Sequence, residues 1–420
     1  MNWDRRTLVA SLALGPLGLQ ACARRSGDGL AMWAMGAEAA KLPELIASLP
    51  RGTAAPRVTV QPLPWTAAHE KLLTGYAGNS LPDLGQIGNS WLAELAAIGA
   101  IEPVPKRYET LLADQFPAVV ETNRIGGRLW AIPWYVDTRV QFYRSDLFAR
   151  AGYGAPPPRW DDWKAALHKV KAVAGPGNYA ILMPLNEYEH LTTLALSAGA
   201  GLLSEDGGRG DFSAPEFREA LGFYKSLFDE GLAPVASNTQ ISNVWNEFAR
   251  GFFSIYPSGP WTIGDMKSRL PAAMQDNWAT APNPGPDGPG AAAPGGSSLV
   301  VYRRGTRPEA AWDLIAQLLD PRAQLAFQRL TGDLPAVRSV WSAAGLSSDP
   351  IVAAFAAQLE RARALPKVAE WERVVSEMQI VAERMVRGQF TVVEAATEMD
   401  KRADKLLAKR RWMIEQGRAL

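Results

Sequence analysis

The chain has 420 residues, more than one hydrophobic core usually supports, so two domains are expected. Hydrophobic residues at 47% and charged residues at 21% describe a globular chain, and a net charge of +1 gives no electrostatic basis for a nucleic-acid partner. The three His (His69, His168, His190) stand at no metal-ligand spacing, and HExxH, GxSxG, P-loop and Rossmann glycine patterns are all absent, so neither a metal nor a cofactor is expected.

The first residues read as an export signal. Arg5 and Arg6 form a basic start, and Thr7 to Ala21 is apolar but too short to span a bilayer. It ends in Leu19-Gln-Ala-Cys22, which resembles a bacterial lipobox, so lipidation is expected at Cys22, the chain's single Cys. A plain signal peptide with an incidental Cys is the alternative. Asp4-Arg-Arg-Thr-Leu8 also resembles a twin-arginine signal, which leaves two export routes open. Cleavage before Cys22 leaves equal numbers of basic and acidic residues. Residues 23–29 then form a polar tether.

Leu30–Met35 reads as a buried strand, and Glu38 opens a helix that stops before Pro50. Val58–Pro62 is the next strand, and Trp65 to Tyr76 the next helix. This alternation implies a parallel sheet covered by helices, an α/β fold. Leu81–Ile87 is a further strand. At its carboxyl end, where open α/β sheets bind ligands, stand Gln86, Asn89, Ser90 and Trp91. Asn89 and Ser90 have an alternative role as helix caps.

Ile132 to Arg144 alternates strictly from Tyr135 onward. Val136, Thr138, Val140 and Phe142 share a core face. Tyr135, Asp137, Arg139, Gln141 and Tyr143 share the other, either a binding surface or a solvated strand face. Helix starts are predicted at Asp161, at Ser213-x-x-Glu216, at Thr306-x-x-Glu309 and at Asp320-Pro321. Phe217, Leu221, Tyr224 and Phe228 form one helix stripe. Residues 184–190 form a polar loop. Residues 250–261 form a strand leading to a Gly-Pro-Trp turn. Residues 282–296 form a Pro- and Gly-rich loop suited to a domain crossing. Fifteen Trp is more than core packing needs, so some are expected to line a binding surface.

Seven segments in order resemble the extracellular sugar-binding proteins of ABC importers, the maltose-binding-like solute-binding group. They are LPDLGQIGNSW (81–91), GGRLWAIPWYVDTRVQFYRSDLFARAG (126–152), PPPRWDDW (156–163), SAPEFREALGFYKSLFDEGLAP (213–234), FARGFFSIYPSGPWTIGDM (248–266), GGSSLVVYRRGTRPEAAWDLI (295–315) and TGDLPAVRSVW (331–341). The resemblance implies two α/β lobes joined by a hinge, with ligand held between them. Lobe 1 would be residues 30–136 and 293–340, and lobe 2 residues 137–292 and 341–420. It implies a carbohydrate ligand, permease subunits as partners, a monomer and a place in the cell envelope, anchored to the membrane by lipid. Matched position by position, Asp137 and Glu187 would be acidic sugar ligands, Trp261 a stacking platform, and Asn89, Ser90 and Trp91 a polar loop. Trp371 would be a late stacking aromatic. Arg139 departs from the maltose binder and suggests a different hydroxyl pattern or an acidic ligand group. Glu38, Trp65, Gln86, Trp134, Tyr135, Trp245 and Gly296 complete the expected ligand-binding set. Core packing is the alternative for each Trp. Two other functions stay open: a glycoside hydrolase using Asp137 and Glu187, and a sugar-sensing ectodomain.

Overall fold

The computed structural model describes residues 29–417 apart from 51, 53 and 54. Cys22 and the export signal lie outside the described residues. The strands in chain order are β1 (Gly29–Met35), β2 (Arg57–Leu63), β3 (Leu84–Gly88), β4 (Arg124–Ile125), β5 (Arg128–Leu129), β6 (Ile132–Asp137), β7 (Val140–Arg144), β8 (Tyr179–Ile181), β9 (Phe253–Ser258), β10 (Trp278–Ala281), β11 (Gly295–Val301) and β12 (Leu334–Pro335). One sheet runs β12-β6-β11-β3-β1-β2 and a second runs β10-β7-β9-β8. The first is not wholly parallel, as the opening strand–helix alternation suggests. β1 pairs in parallel with β2 and β3, but β11 returns from a distant segment and pairs antiparallel with β3 and β6. Helices cover the sheets, so the central strands are mostly buried, β3 and β7 along their whole length.

The predicted long strand is two strands, β6 in one sheet and β7 in the other. The break falls at Thr138–Arg139, where bonds from distant segments replace the ladder. Thr138 Oγ1 donates to the Ala293 carbonyl at 3.0 Å, and Asn283 Nδ2 donates to the Arg139 carbonyl at 2.7 Å. Beyond the break the polar face is internal. Gln141 Nε2 donates to the Pro282 carbonyl at 2.6 Å, and its Oε1 accepts from Trp163 Nε1 at 2.7 Å. The chain passes back between β10 and β11 through the Pro- and Gly-rich loop. Beneath these passages one apolar cluster joins Phe116 and Val136 to Val140, Phe142 and Phe355, which ties the two sheets together.

Helix stripes follow the sequence. Phe217, Leu221, Tyr224 and Phe228 are all buried on the helix Pro215–Asp229, against the helices Trp371–Val386 and Val392–Leu406. Three predicted helix starts do not form as read. Asp161 lies inside a helix that begins at Trp160, whose buried indole is pinned by Nε1 donating to the Pro284 carbonyl at 3.0 Å. The Ser213 N–H is claimed by Asp400 at 3.0 Å, and no capping box forms there. Thr306 gives both its N–H and its hydroxyl to Asp83 Oδ1, at 2.8 and 3.1 Å. At Ser213 and Thr306 a tertiary carboxylate takes the donors of the expected cap. Asp320 does cap its helix, accepting from the Arg322 N–H at 2.9 Å. No helix among the described residues is long and apolar enough to cross a membrane.

Candidate functional site

A cleft of about 1140 Å³ lies between the two sheets, at the crossing between β6 and β7. Its lining brings together Glu38, Trp65, Asn89, Ser90, Trp91, Tyr135, Asp137, Arg139, Trp261, Gly296 and Trp371 from the sequence-derived set. A mostly apolar cavity with a few convergent polar groups at a domain junction is the usual form of a small-molecule site.

One wall is aromatic because glycines make room for it. Trp91 stacks on His69 with ring centroids 5.0 Å apart and planes 18° apart, and Trp65 leans on Trp91 at 5.6 Å. A Cβ on Gly36 would stand 2.7 Å from Trp65 Nε1, and that glycine has φ +65°. Across the cleft Trp261 opens the helix Trp261–Arg269 and is 51% exposed, far more than a packing indole needs. A Cβ on Gly259 would run into its ring.

The floor is acidic. Tyr135 donates from its hydroxyl to Glu38 Oε1 at 2.8 Å and accepts from Gln86 Nε2 at 3.3 Å, while Gln86 Oε1 accepts the Met35 N–H at 2.8 Å. Gln86 therefore stands behind the wall and fixes Tyr135. Burial pushes Asp137 up to about 6, against the lowering effect of Arg139 and of the Gly296 N–H that it accepts. Burial likewise pushes Asp333 up to about 8, and the Glu38 carboxylate adds to the rise. Both shifts follow from removing a carboxylate from water near other carboxylates.

These shifts set a pH dependence. An acid whose folded pKa is raised binds its proton more tightly in the folded state. Its stabilising effect is therefore complete below the unfolded value and lost as pH rises through the folded value. His190 is held neutral, pushed down to about 3 by burial and then by Arg139, so it opposes stability only below its ordinary 6.5. The loss from Asp137 is nearly complete by about pH 6, so between pH 6.5 and 8 Asp333 dominates. Melting temperature should fall as pH rises through that interval, and Asp333→Asn should flatten the slope. An equal slope in wild type and variant would contradict the assignment.

Arg139 is bound to its own protein. Its Nη2 donates to Glu189 Oε1 at 2.8 Å, its Nη1 stands 3.4 Å from Glu187 Oε2, and its guanidinium lies 5.8 Å from the centre of the Trp261 ring. Burial works against its charge, but Glu189 and then Glu187 outweigh it and raise its pKa. His190 Nε2 is 3.5 Å from Glu187 Oε2, yet a neutral imidazole makes no ion pair there. Arg139 thus packs beside the Trp261 ring, with its charge met by two carboxylates of the chain.

Four expected residues stand elsewhere. Trp134 is fully buried and packs on Phe327 with centroids 4.4 Å apart, in the core behind β6. Gln86 is equally buried. Glu187 and Trp245 line a second, smaller hollow instead of the cleft. Trp371 reaches the cleft wall but is only 1% exposed, so packing holds most of its ring. Asn89 forms no helix cap. It donates to the Gly295 carbonyl at 3.2 Å and accepts from Ser298 Oγ at 2.7 Å, stapling the loop to β11. Asp333, Glu189, Tyr188 and Lys267 also line the cleft and were not singled out from sequence. Asp333 follows the helix-ending Gly332 in the TGDLP segment, the one signal that pointed to it.

The solved sugar-binding protein MalE of Xanthomonas citri is 46% identical, with a TM-score of 0.88 over 92% of this chain and 99% of that one. A probable ABC transporter-binding protein of Deinococcus radiodurans is 32% identical over 50% of this chain and 51% of its own length. The maltotriose-binding protein of Pyrococcus abyssi is 26% identical over 68% of this chain and 61% of its own. These relatives are binding proteins. Residues 48–354 match the family model described as bacterial extracellular solute-binding protein. With the two-sheet architecture and its central cleft, this match shows that the chain belongs to the bacterial extracellular solute-binding protein family.

Proposed function

We propose that the protein captures a di- or oligosaccharide in the central cleft and delivers it to the permease subunits of an ABC importer. The observation that carries this reading is the pairing of cleft-lining indoles with carboxyl groups across one cavity. Trp65, Trp91 and Trp261 face a floor holding Glu38, Asp137 and Asp333. A pyranose has apolar C–H faces that flat rings cover, and a belt of hydroxyls that carboxylates accept from. The names of the relatives, sugar-binding and maltotriose-binding among them, support the same ligand class. A hydrolase built on Asp137 and Glu187 is less well supported, because Glu187 turns to Arg139 and lines the other hollow. A thermal-shift screen of mono-, di- and trisaccharides tests the proposal, since a ligand that binds only the folded state raises its stability. One or more saccharides should raise the melting temperature without being cleaved. No shift with any saccharide, or turnover of one, would refute it.

The same reading makes the mature protein a monomer held at the outer face of the membrane by lipid on Cys22. Cys22→Ser should move the protein from the membrane fraction to the soluble fraction. Wild-type protein that is already soluble and unmodified would contradict the anchor.

A further inference from the structure

The chain as a whole is nearly neutral, but its last helices are not. Between positions 401 and 417 stand six basic residues and two acidic ones. They occupy the end of the helix Val392–Leu406 and the helix Ala408–Glu415, which has no buried residue. Helical register runs on through the junction. The Leu407 N–H donates to the Ala403 carbonyl at 2.8 Å, and the Arg411 N–H to the Leu407 carbonyl at 2.9 Å, each bond spanning four residues.

One face of this segment is engaged with the body of the protein. Arg402 gives Nη1 to Glu377 Oε2 at 2.7 Å and Nε to Glu398 Oε1 at 2.8 Å. Arg411 gives Nη1 to the Gly208 carbonyl at 3.2 Å and stands 3.9 Å from Asp404 Oδ1. A Cβ on Gly208 would come within 3.2 Å of Ile414 Cδ1, so Ile414 lies on the same loop.

The other face is left outward. Lys401, Lys405, Lys409 and Trp412 follow at spacings of four, four and three, which is one side of a helix, and all four are exposed. Lys401 reaches only Glu398, at 3.2 Å, with 78% of its side chain in solvent. Lys405 and Lys409 make no ion pair or side-chain hydrogen bond among the described residues. Three Trp are exposed among those residues. Trp65 and Trp261 line the cleft; Trp412, at 52% exposed, does not, and no ring or cation packs on it. Neither core packing nor ligand capture therefore accounts for Trp412. An exposed indole in line with unpaired Lys has the chemistry of a helix face at a membrane surface. The ring sits at headgroup level, and the ammonium groups reach lipid phosphates on flexible stems.

We propose that this face docks on an anionic phospholipid bilayer and holds the protein body against it by charge, with no helix inserted. The contact goes beyond sugar capture and is independent of lipid on Cys22.

Cosedimentation with vesicles tests it. The protein used begins at Ala23, ahead of β1, so that neither the apolar signal stretch nor lipid on Cys22 contributes. It should bind vesicles of equimolar phosphatidylcholine and phosphatidylglycerol at least about tenfold better than phosphatidylcholine alone, and added salt should weaken the binding. Each Lys near such a surface contributes about fivefold, so Lys405→Glu with Lys409→Glu should reduce binding by at least about twentyfold. Trp412→Ala should weaken it several-fold. Lys41→Glu with Lys106→Glu changes net charge equally at exposed positions elsewhere and should weaken it far less. Every substituted position is exposed, so melting temperatures should match wild type and show that each variant is folded. Equal binding to the two vesicle types, or an equal loss from both Lys pairs, overturns the docking face. Absence of binding to either vesicle overturns it as well, and leaves an acidic protein surface as the remaining occupant.

Discussion

Arg139→Ala should destabilise the protein by about 2–3 kcal/mol and abolish ligand capture. Removing one partner of a buried ion pair typically costs about 3–5 kcal/mol, because the other charge is left buried without compensation. The lower figure applies here because Glu187 and Glu189 keep side-chain exposures of 20% and 33% and are partly screened by solvent. The variant also loses the cation beside Trp261 and the charge that holds Asp137 down. Arg139→Lys should restore only part of the loss, since a point charge cannot hold two carboxylates as a planar fork does. Adding Glu187→Gln and Glu189→Gln to Arg139→Ala should recover most of the stability while binding stays impaired. Urea unfolding measures the first effect and calorimetry the second. A loss below about 0.5 kcal/mol, the range of an ordinary surface change, would show that Arg139 is not a brace.

Gly296→Ala should cost about as much, for a different reason. Gly296 pairs with Val136 between β11 and β6 and has φ +97°, a conformation that L side chains rarely adopt. A Cβ there would meet the Tyr135 carbonyl oxygen at 2.2 Å, so backbone would have to move. Strain of this kind costs on the order of 1–3 kcal/mol, and overpacking adds a comparable amount. The Gly296 N–H also bonds to Asp137, so the shift would spread to the cleft floor. The variant should melt well below wild type and bind weakly or not at all. Wild-type melting and affinity together would mean that the crossing tolerates a side chain there.

The parts of the fold that repeat a period were legible in the sequence. β1 and β2, with their helices, follow directly from apolar runs and stripes. The split of the crossing strand was not, because alternation continues unbroken through Thr138 and Arg139. What ends β6 is a pair of hydrogen bonds from residues 155 and 144 positions away. Capping signals at Ser213 and Thr306 failed for the same reason, since Asp400 and Asp83 take their donors. At the cleft, Trp261, Trp91 and Asp137 could be placed through the family resemblance. Trp134 could not be separated from Tyr135 by sequence, since both rings meet Phe327 and only the Tyr135 hydroxyl reaches Glu38 at the cleft. Asp333 lies within the segment 331–341 and Glu189 within the polar loop 184–190. Their convergence with Glu38 and Arg139 is a property of the assembled sheets and leaves no mark on local spacing.

A saccharide held between the two sheets would touch both walls at once. Hydrogen–deuterium exchange on the protein with and without a saturating saccharide from the screen tests this most directly. Backbone protection should appear together on the wall at 88–92, at the crossing around 137–139 and on the opposite wall at 260–264. Protection confined to one wall, or away from all three segments, would contradict it.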